Sequence, residues 1–219
     1  MYTHSQDTQQ DECLVCLSPI LSTPSFVHLV KPLPICRKCL NQFEIMNQSI
    51  IFHHHPLHIL YYYNEFFRTL LFQYKGLYDY ALKDVFLCLT QDHIMRKFRN
   101  YIIVIVPSHE EDNAKRGFVP MESIALTFSQ QVFTGLYKKE KYKQSDLSYE
   151  ERQKTKEKIG IRNGDMLYGK KVLIFDDVIT SGSTLLACLL LVLQQQPQEV
   201  QLLVLSTRRR IEELEWKVR

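Results

Sequence analysis

The chain has 219 residues, 45% of them hydrophobic, with a formal net charge of +3. That is enough apolar material for one full core, or for a core with a small satellite. The modest positive charge allows a phosphate-bearing partner without requiring one. The N-terminal stretch MYTHSQDTQQDE has neither a basic n-region nor an apolar h-region, so no signal peptide is expected. The longest apolar run, Leu185 to Leu193, falls well short of the roughly 20 residues of a membrane span. A soluble, cytoplasmic protein without membrane insertion is expected. In that compartment thiols stay reduced, and paired cysteines point to metal rather than to disulfides.

Residues 1–50 are rich in Cys, Pro and small polar residues and show little periodicity. Cys13-x-x-Cys16 and Cys36-x-x-Cys39 enclose 19 intervening residues. Each pair sets two sulfurs on one tight turn, and two such knuckles make the tetrahedral all-sulfur set that Zn²⁺ prefers. A closed structural zinc site is expected, its metal supplying folding energy to a segment with no core of its own. Residues 51–219 form the second domain, and 51–100 are expected to be a leading helical segment. His53-His54-His55 and His58 read as a solvated linker. Asn64 to Leu89 reads as two helices, the first with Phe66, Phe67, Leu70, Leu71 and Tyr74 on one face and Gly76 at its end, the second from Tyr78. Cys88 and Cys188 lie in apolar stretches and read as core.

Next comes a buried strand, YIIVIVPS, stopped by Pro107. The loop after it carries Ser108, His109, Lys115 and Arg116. Met121 to Phe133 reads as a helix. Residues 138–162 are dense in charge and read as a solvated loop. KKVLIFDD is a second buried strand, Ser183 to Gln195 a helix, and EVQLLVLS a third strand. Apolar strands alternating with helices indicate an α/β fold with a mostly parallel sheet covered on both faces.

The stretch VLIFDDVITSGST, Val172 to Thr184, carries the most chemistry. In open α/β sheets ligands bind beyond the carboxyl ends of the strands, where Asp176 and Asp177 are expected. Adjacent carboxylates repel one another and need compensation when buried, which sugar hydroxyls or Mg²⁺ can give. Gly182 allows a tight turn, and the hydroxyls of Thr180, Ser181, Ser183 and Thr184, with the N-terminus of the next helix, make an anion site. Acids for a ribose beside a cradle for a phosphate describe a ribose 5-phosphate site. The Gly-Lys-Ser/Thr of a Walker A loop is absent.

VLIFDDVITSGST resembles the phosphoribosyl-pyrophosphate (PRPP) motif of type I phosphoribosyltransferases. The resemblance implies that Asp176 and Asp177, as catalytic residues, hold the ribose hydroxyls. It implies that Thr180, Ser181, Gly182, Ser183 and Thr184 cradle the 5-phosphate, and that Ser108, His109, Lys115 and Arg116 face the pyrophosphate, with Mg²⁺ accompanying PRPP. It also implies a flexible hood over residues 138–162. Arg116-Gly117-Phe118, then Gln144-x-x-Leu147-x-x-x-x-Arg152, and FFRTLLFQYKG at Phe66 to Gly76, together with the opening cysteines, resemble the ComF (ComFC-like) competence family. Val119-Pro120 and Thr155 depart from that family's usual Asn-Gln and Asn. The resemblance implies a type I phosphoribosyltransferase-like domain behind a small zinc-ribbon-like module. It further implies a role in DNA uptake during natural transformation, with single-stranded DNA and a competence helicase as partners. Arg37-Lys38, Tyr61 to Lys75 and Arg208-Arg209-Arg210 are the expected DNA contacts. The alternative implied is an active Mg²⁺-dependent transferase on another acceptor, with no direct handling of DNA.

Overall fold

A computed structural model describes residues 12–20, 33–139 and 159–208. Its centre is a six-stranded sheet of order β1-β2-β8-β7-β3-β4. The strands are β1 (Ile45–Phe52), β2 (His55–Tyr62), β3 (Tyr101–Ile105), β4 (Val132–Phe133), β7 (Lys171–Ile179) and β8 (Glu199–Thr207). Within this sheet only the β1–β2 pair is antiparallel; the other pairs run parallel. A separate antiparallel pair, β5 (Leu136–Lys138) and β6 (Ile159–Ile161), forms the base of the expected hood, while residues 140–158, with Gln144, Leu147, Arg152 and Thr155, lie outside the described residues.

Alternation along the central strands feeds two cores. Ile103, Ile105, Leu173, Phe175, Leu203 and Leu205 point to one face, while Val104, Val106, Val172, Ile174, Leu202 and Val204 point to the other. The first face is covered by helices α2 (Glu65–Gly76), α3 (Gln91–Phe98) and α5 (Pro120–Ala125), the second by α6 (Ser183–Leu193). Cys188 is fully buried there, and Cys88 is half-buried against the first core. This is the mostly parallel, helix-flanked sheet that the sequence predicts.

Three local expectations are corrected. Residues 45–62 are a β-hairpin, not the end of one module followed by a linker and a helical lead. His53 and His54 form its two-residue turn with φ of 45° and 68°, the left-handed pair that such hairpins need and that Asn-Gly usually supplies. His58 is a strand residue, hydrogen-bonded to Ser49 and, through Nε2, to Gln201 Oε1 at 2.8 Å. The second expected helix is a 3₁₀ turn at Tyr80–Asp84. Val85, Phe86 and Leu87 are buried in succession there, which a one-sided helix cannot achieve. The helix expected over Met121 to Phe133 stops at Ala125, because Phe128 dips against Phe175, their rings 5.6 Å apart, and Val132–Phe133 joins the sheet beside β3.

The cysteine knuckles sit on this body. Helix α1 (Arg37–Leu40) carries Cys39, and Cys13, Ile35, Cys39 and Phe43 belong to the same core as Leu60, Phe67 and Leu70. Phe43 packs at 4.8 Å from Tyr61 and 5.1 Å from Phe66.

Candidate functional site

Strand β7 is paired with β3 only as far as Phe175, but with β8 through Ile179. Asp176 and Asp177 therefore lie inside the strand, not at its last residue, on the stretch where β3 has already turned away. The backbone of Val106 still donates to Phe175 O at 3.1 Å, and then Pro107, Ser108 and His109 leave the sheet. His109 is the N-cap position of the short helix α4 (Glu110–Arg116), which ends at Gly117 with φ of 75°.

The space opened by this divergence is a cleft of about 290 Å³. Ser108, His109, Asp176, Asp177 and Thr180 to Thr184 all line it, together with Asp112, Arg116, Lys75 and Lys138. The structure thus brings together every sequence-predicted ligand residue except Lys115. That residue is exposed and does not line the cleft. Helix α4 instead turns Asp112 and Arg116, one turn apart, toward the cleft.

Lys75, at the end of α2, is the residue that sequence reasoning left out of the site. Its ammonium is ion-paired with Asp177 Oδ2, the two side chains only 22% and 20% exposed. The pair spans 102 positions of chain. The Tyr-Lys-Gly end of the helix was its one signal, and nothing local indicated where the lysine would point. Arg116 is locked beside it: Nε donates to Lys75 O at 2.8 Å and Nη1 to Asn113 Oδ1 at 3.4 Å.

The acids differ. Asp177 Oδ1 accepts from Val178 N at 2.7 Å, and Asp176 Oδ1 from Asp177 N at 2.9 Å. Burial raises the Asp176 pKa well above the ordinary carboxylate range, and the neighbouring Asp177 charge adds to the rise. Burial opposes ionisation of Asp177 too, but the charge and hydrogen bond of Lys75 prevail and hold its carboxyl below the usual value. Burial and the neighbouring charge push Asp176 up while Lys75 holds Asp177 down, so the two carboxyls shift in opposite directions.

Gly182, with φ of 76°, is the N-cap of α6, and its carbonyl accepts from Leu186 N at 2.8 Å. The glycine cap brings no side chain of its own to the first-turn amides, which have no carbonyl partner within the helix, although Ser181 Oγ accepts from the first of them, Ser183 N, at 3.3 Å. Ser181 Oγ bonds Ser183 Oγ at 3.0 Å and holds the turn closed.

The second centre is the cysteine cluster. The ligand sulfurs of Cys13, Cys16, Cys36 and Cys39 lie within 4.8 Å of one another, and Cys16 and Cys36 are 3.7 Å apart. Tetrahedral zinc–thiolate bonds of about 2.3 Å put sulfurs about 3.8 Å apart, so the donor set fits Zn²⁺. Leu14 N donates to Pro34 O at 2.9 Å and ties one knuckle to the other.

Of the expected DNA-contacting stretches, Arg37 and Lys38 are both exposed beside the knuckle. Tyr61 is fully buried and cannot stack on a base. Phe72, by contrast, is 60% exposed, in a groove of about 530 Å³ shared with Tyr63, Arg68, Lys75 and Arg116. Arg208 stacks on the Tyr63 ring at 4.5 Å, and Arg209 and Arg210 lie outside the described residues. Among the described residues no helix is long and apolar enough to cross a membrane.

Against known proteins, the family model described as the phosphoribosyl transferase domain matches residues 94–218. The chain is similar to the competence protein ComFC of Streptococcus pneumoniae (strain ATCC BAA-255 / R6), at 28% identity over 123 residues, 56% of this chain and 55% of that protein. The match spans about half of that relative's length. Among solved structures, the hypoxanthine-guanine phosphoribosyl transferase of L. donovani aligns with a TM-score of 0.34 and 12% identity, covering 57% of this chain and 71% of that one.

Proposed function

The chain belongs to the phosphoribosyl transferase domain family, and from that premise we propose that its cleft binds PRPP or a related phosphoribosyl ligand, in the service of DNA uptake. One observation carries the reading. A carboxylate pair, a glycine-capped helix N-terminus and the Ser108–Arg116 wall converge on one cleft. Asp176 and Asp177 take the ribose hydroxyls, the 180–184 loop takes the 5-phosphate, and Ser108, His109 and Arg116 face the pyrophosphate. Mg²⁺ enters with the pyrophosphate of the ligand. Zn²⁺ on the four cysteines is structural.

Similarity to a competence protein supports a cytoplasmic role in natural transformation, with single-stranded DNA and a helicase as partners. The groove holding Phe72, Tyr63 and Arg68 beside the cleft supports single-stranded DNA, since an exposed ring among cations suits stacked bases on a phosphate backbone.

Calorimetry with PRPP and Mg²⁺ tests the cleft. Binding is expected for the wild type and lost in the Asp176→Asn/Asp177→Asn double variant. Undiminished binding in that variant would remove the acids from the site. Titration of a fluorescent oligonucleotide tests the partner: affinity should fall steeply as salt rises, and no binding at low salt would rule out direct DNA contact.

A further inference from the structure

We infer that Lys75 is a built-in counter-ion for the acid pair, so that the cleft holds a phosphorylated vicinal diol without any divalent cation on Asp176 or Asp177. The inference rests on the reading of the cleft as a phosphoribosyl site and specifies how that site recognises the sugar.

The first ground is occupancy. Three of the four carboxylate oxygens already have partners: Asp176 Oδ1 the amide of Asp177, Asp177 Oδ1 the amide of Val178, and Asp177 Oδ2 the ammonium of Lys75. Mg²⁺ demands near-octahedral oxygen ligation and gives up water reluctantly. It would have to displace the lysine or sit beside it, cation against cation.

The second ground is fixity. Lys75 is not a surface lysine that falls on an acid by chance. It ends α2, its carbonyl is held by Arg116 Nε at 2.8 Å, and the preceding Tyr74 hydroxyl donates to Pro120 O at 2.7 Å. The ammonium is thus delivered to Asp177 by a helix anchored on both sides. With both partners about four-fifths covered, solvent screens the pair weakly.

The third ground is the ligand. A neutral diol needs no change in the charge of the site. Each hydroxyl can donate to a carboxylate oxygen and accept from the ammonium, which has three donors to share. A divalent cation would add two charges to an acid pair that Lys75 already balances in part. The acids therefore suit sugar hydroxyls, and any Mg²⁺ belongs to a pyrophosphate bound farther along the cleft.

Ribose 5-phosphate separates the two, because it carries the diol and the phosphate but no pyrophosphate. Calorimetry is run on the full chain with zinc in place, in metal-free and in Mg²⁺ buffers, with PRPP as the companion ligand. The wild type should bind ribose 5-phosphate equally in both buffers. Lys75→Met should lose on the order of tenfold in metal-free buffer, the scale of a charge-assisted hydrogen bond, and regain part of it with Mg²⁺. Lys75→Arg keeps the charge and should retain metal-free binding, which also guards against a folding defect in the methionine variant. Wild-type binding of ribose 5-phosphate that requires Mg²⁺, or a Lys75→Met variant that binds normally without metal, overturns the counter-ion role alone. Failure of both ribose 5-phosphate and PRPP to bind in either buffer overturns the phosphoribosyl reading, and this inference with it.

Discussion

Asp176 and Asp177 are neighbours of identical chemistry whose pKa values shift in opposite directions, and that contrast has a measurable sign. Asp176 has its pKa raised in the folded chain. It therefore costs stability as pH climbs from the ordinary aspartate range, near 3.9, up to its raised value, because the folded state holds a proton that the unfolded state has released. Asp177 has its pKa lowered and contributes stability above the ordinary range, lost as pH falls through its depressed value. Asp176→Asn should therefore melt higher than the wild type in mildly alkaline buffer, with the gain shrinking as pH falls toward the ordinary aspartate range. Asp177→Asn should melt lower in the alkaline buffer, since it strands Lys75 without its partner. Scanning calorimetry across pH reads both. A gain for Asp176→Asn that grows on acidification would contradict the assignment of the raised group. Much at this scale was legible in the chain: the two acids, the Thr/Ser-Gly loop and the four cysteines were all identifiable from residue type and spacing. Lys75 and the exclusion of Lys115 were not. Which residue of a helix faces a cleft depends on how that helix docks, and the strand that Lys75 meets lies far along the chain.

At the scale of elements, the apolar strands and α6 were legible because runs such as VLIFDD and LLACLLLVL allow few alternatives. The β1–β2 hairpin was not, because its turn is written His-His rather than Asn-Gly. With φ of 45° and 68°, His53 and His54 each occupy a conformation that costs an ordinary residue about 1–2 kcal/mol. The double substitution His53→Asn/His54→Gly should raise stability by up to about 1 kcal/mol, read as a higher denaturant midpoint at unchanged slope. A lower midpoint would mean that the histidines are held there by contacts worth more than the strain. The same reasoning explains the other two departures. Burial of Val85, Phe86 and Leu87 in succession, and the insertion of Phe128 under Phe175, are tertiary demands that override a helical pattern.

For the whole molecule, the decisive fact is that the cysteine knuckles and the sheet share one core. Cys13, Ile35, Cys39 and Phe43 pack with Leu60, Phe67 and Leu70, so the knuckles do not hang from a linker. Removing zinc should lower the melting temperature of the entire transition rather than release a small separate one, with the metal content of the untreated protein measured beside it. Protein purified without chelator that holds no zinc would contradict the metal assignment, and a distinct early transition would contradict the shared core.

The sheet closes with an irregularity. Pairing of β1 to β2 slips between Ile45 and Gln48, where Asn47 takes a φ of 42°, and the opposite border, β4, is two residues long. Among the described residues, one border of the sheet is broken by a bulge and the other is too short to serve as a template. Beyond the slip β1 keeps regular register only from Gln48 to Phe52, so an added strand would find a short row of amides and carbonyls on either side. The fold thus carries its own defence against the sheet-to-sheet aggregation that a β-rich, strongly apolar centre invites.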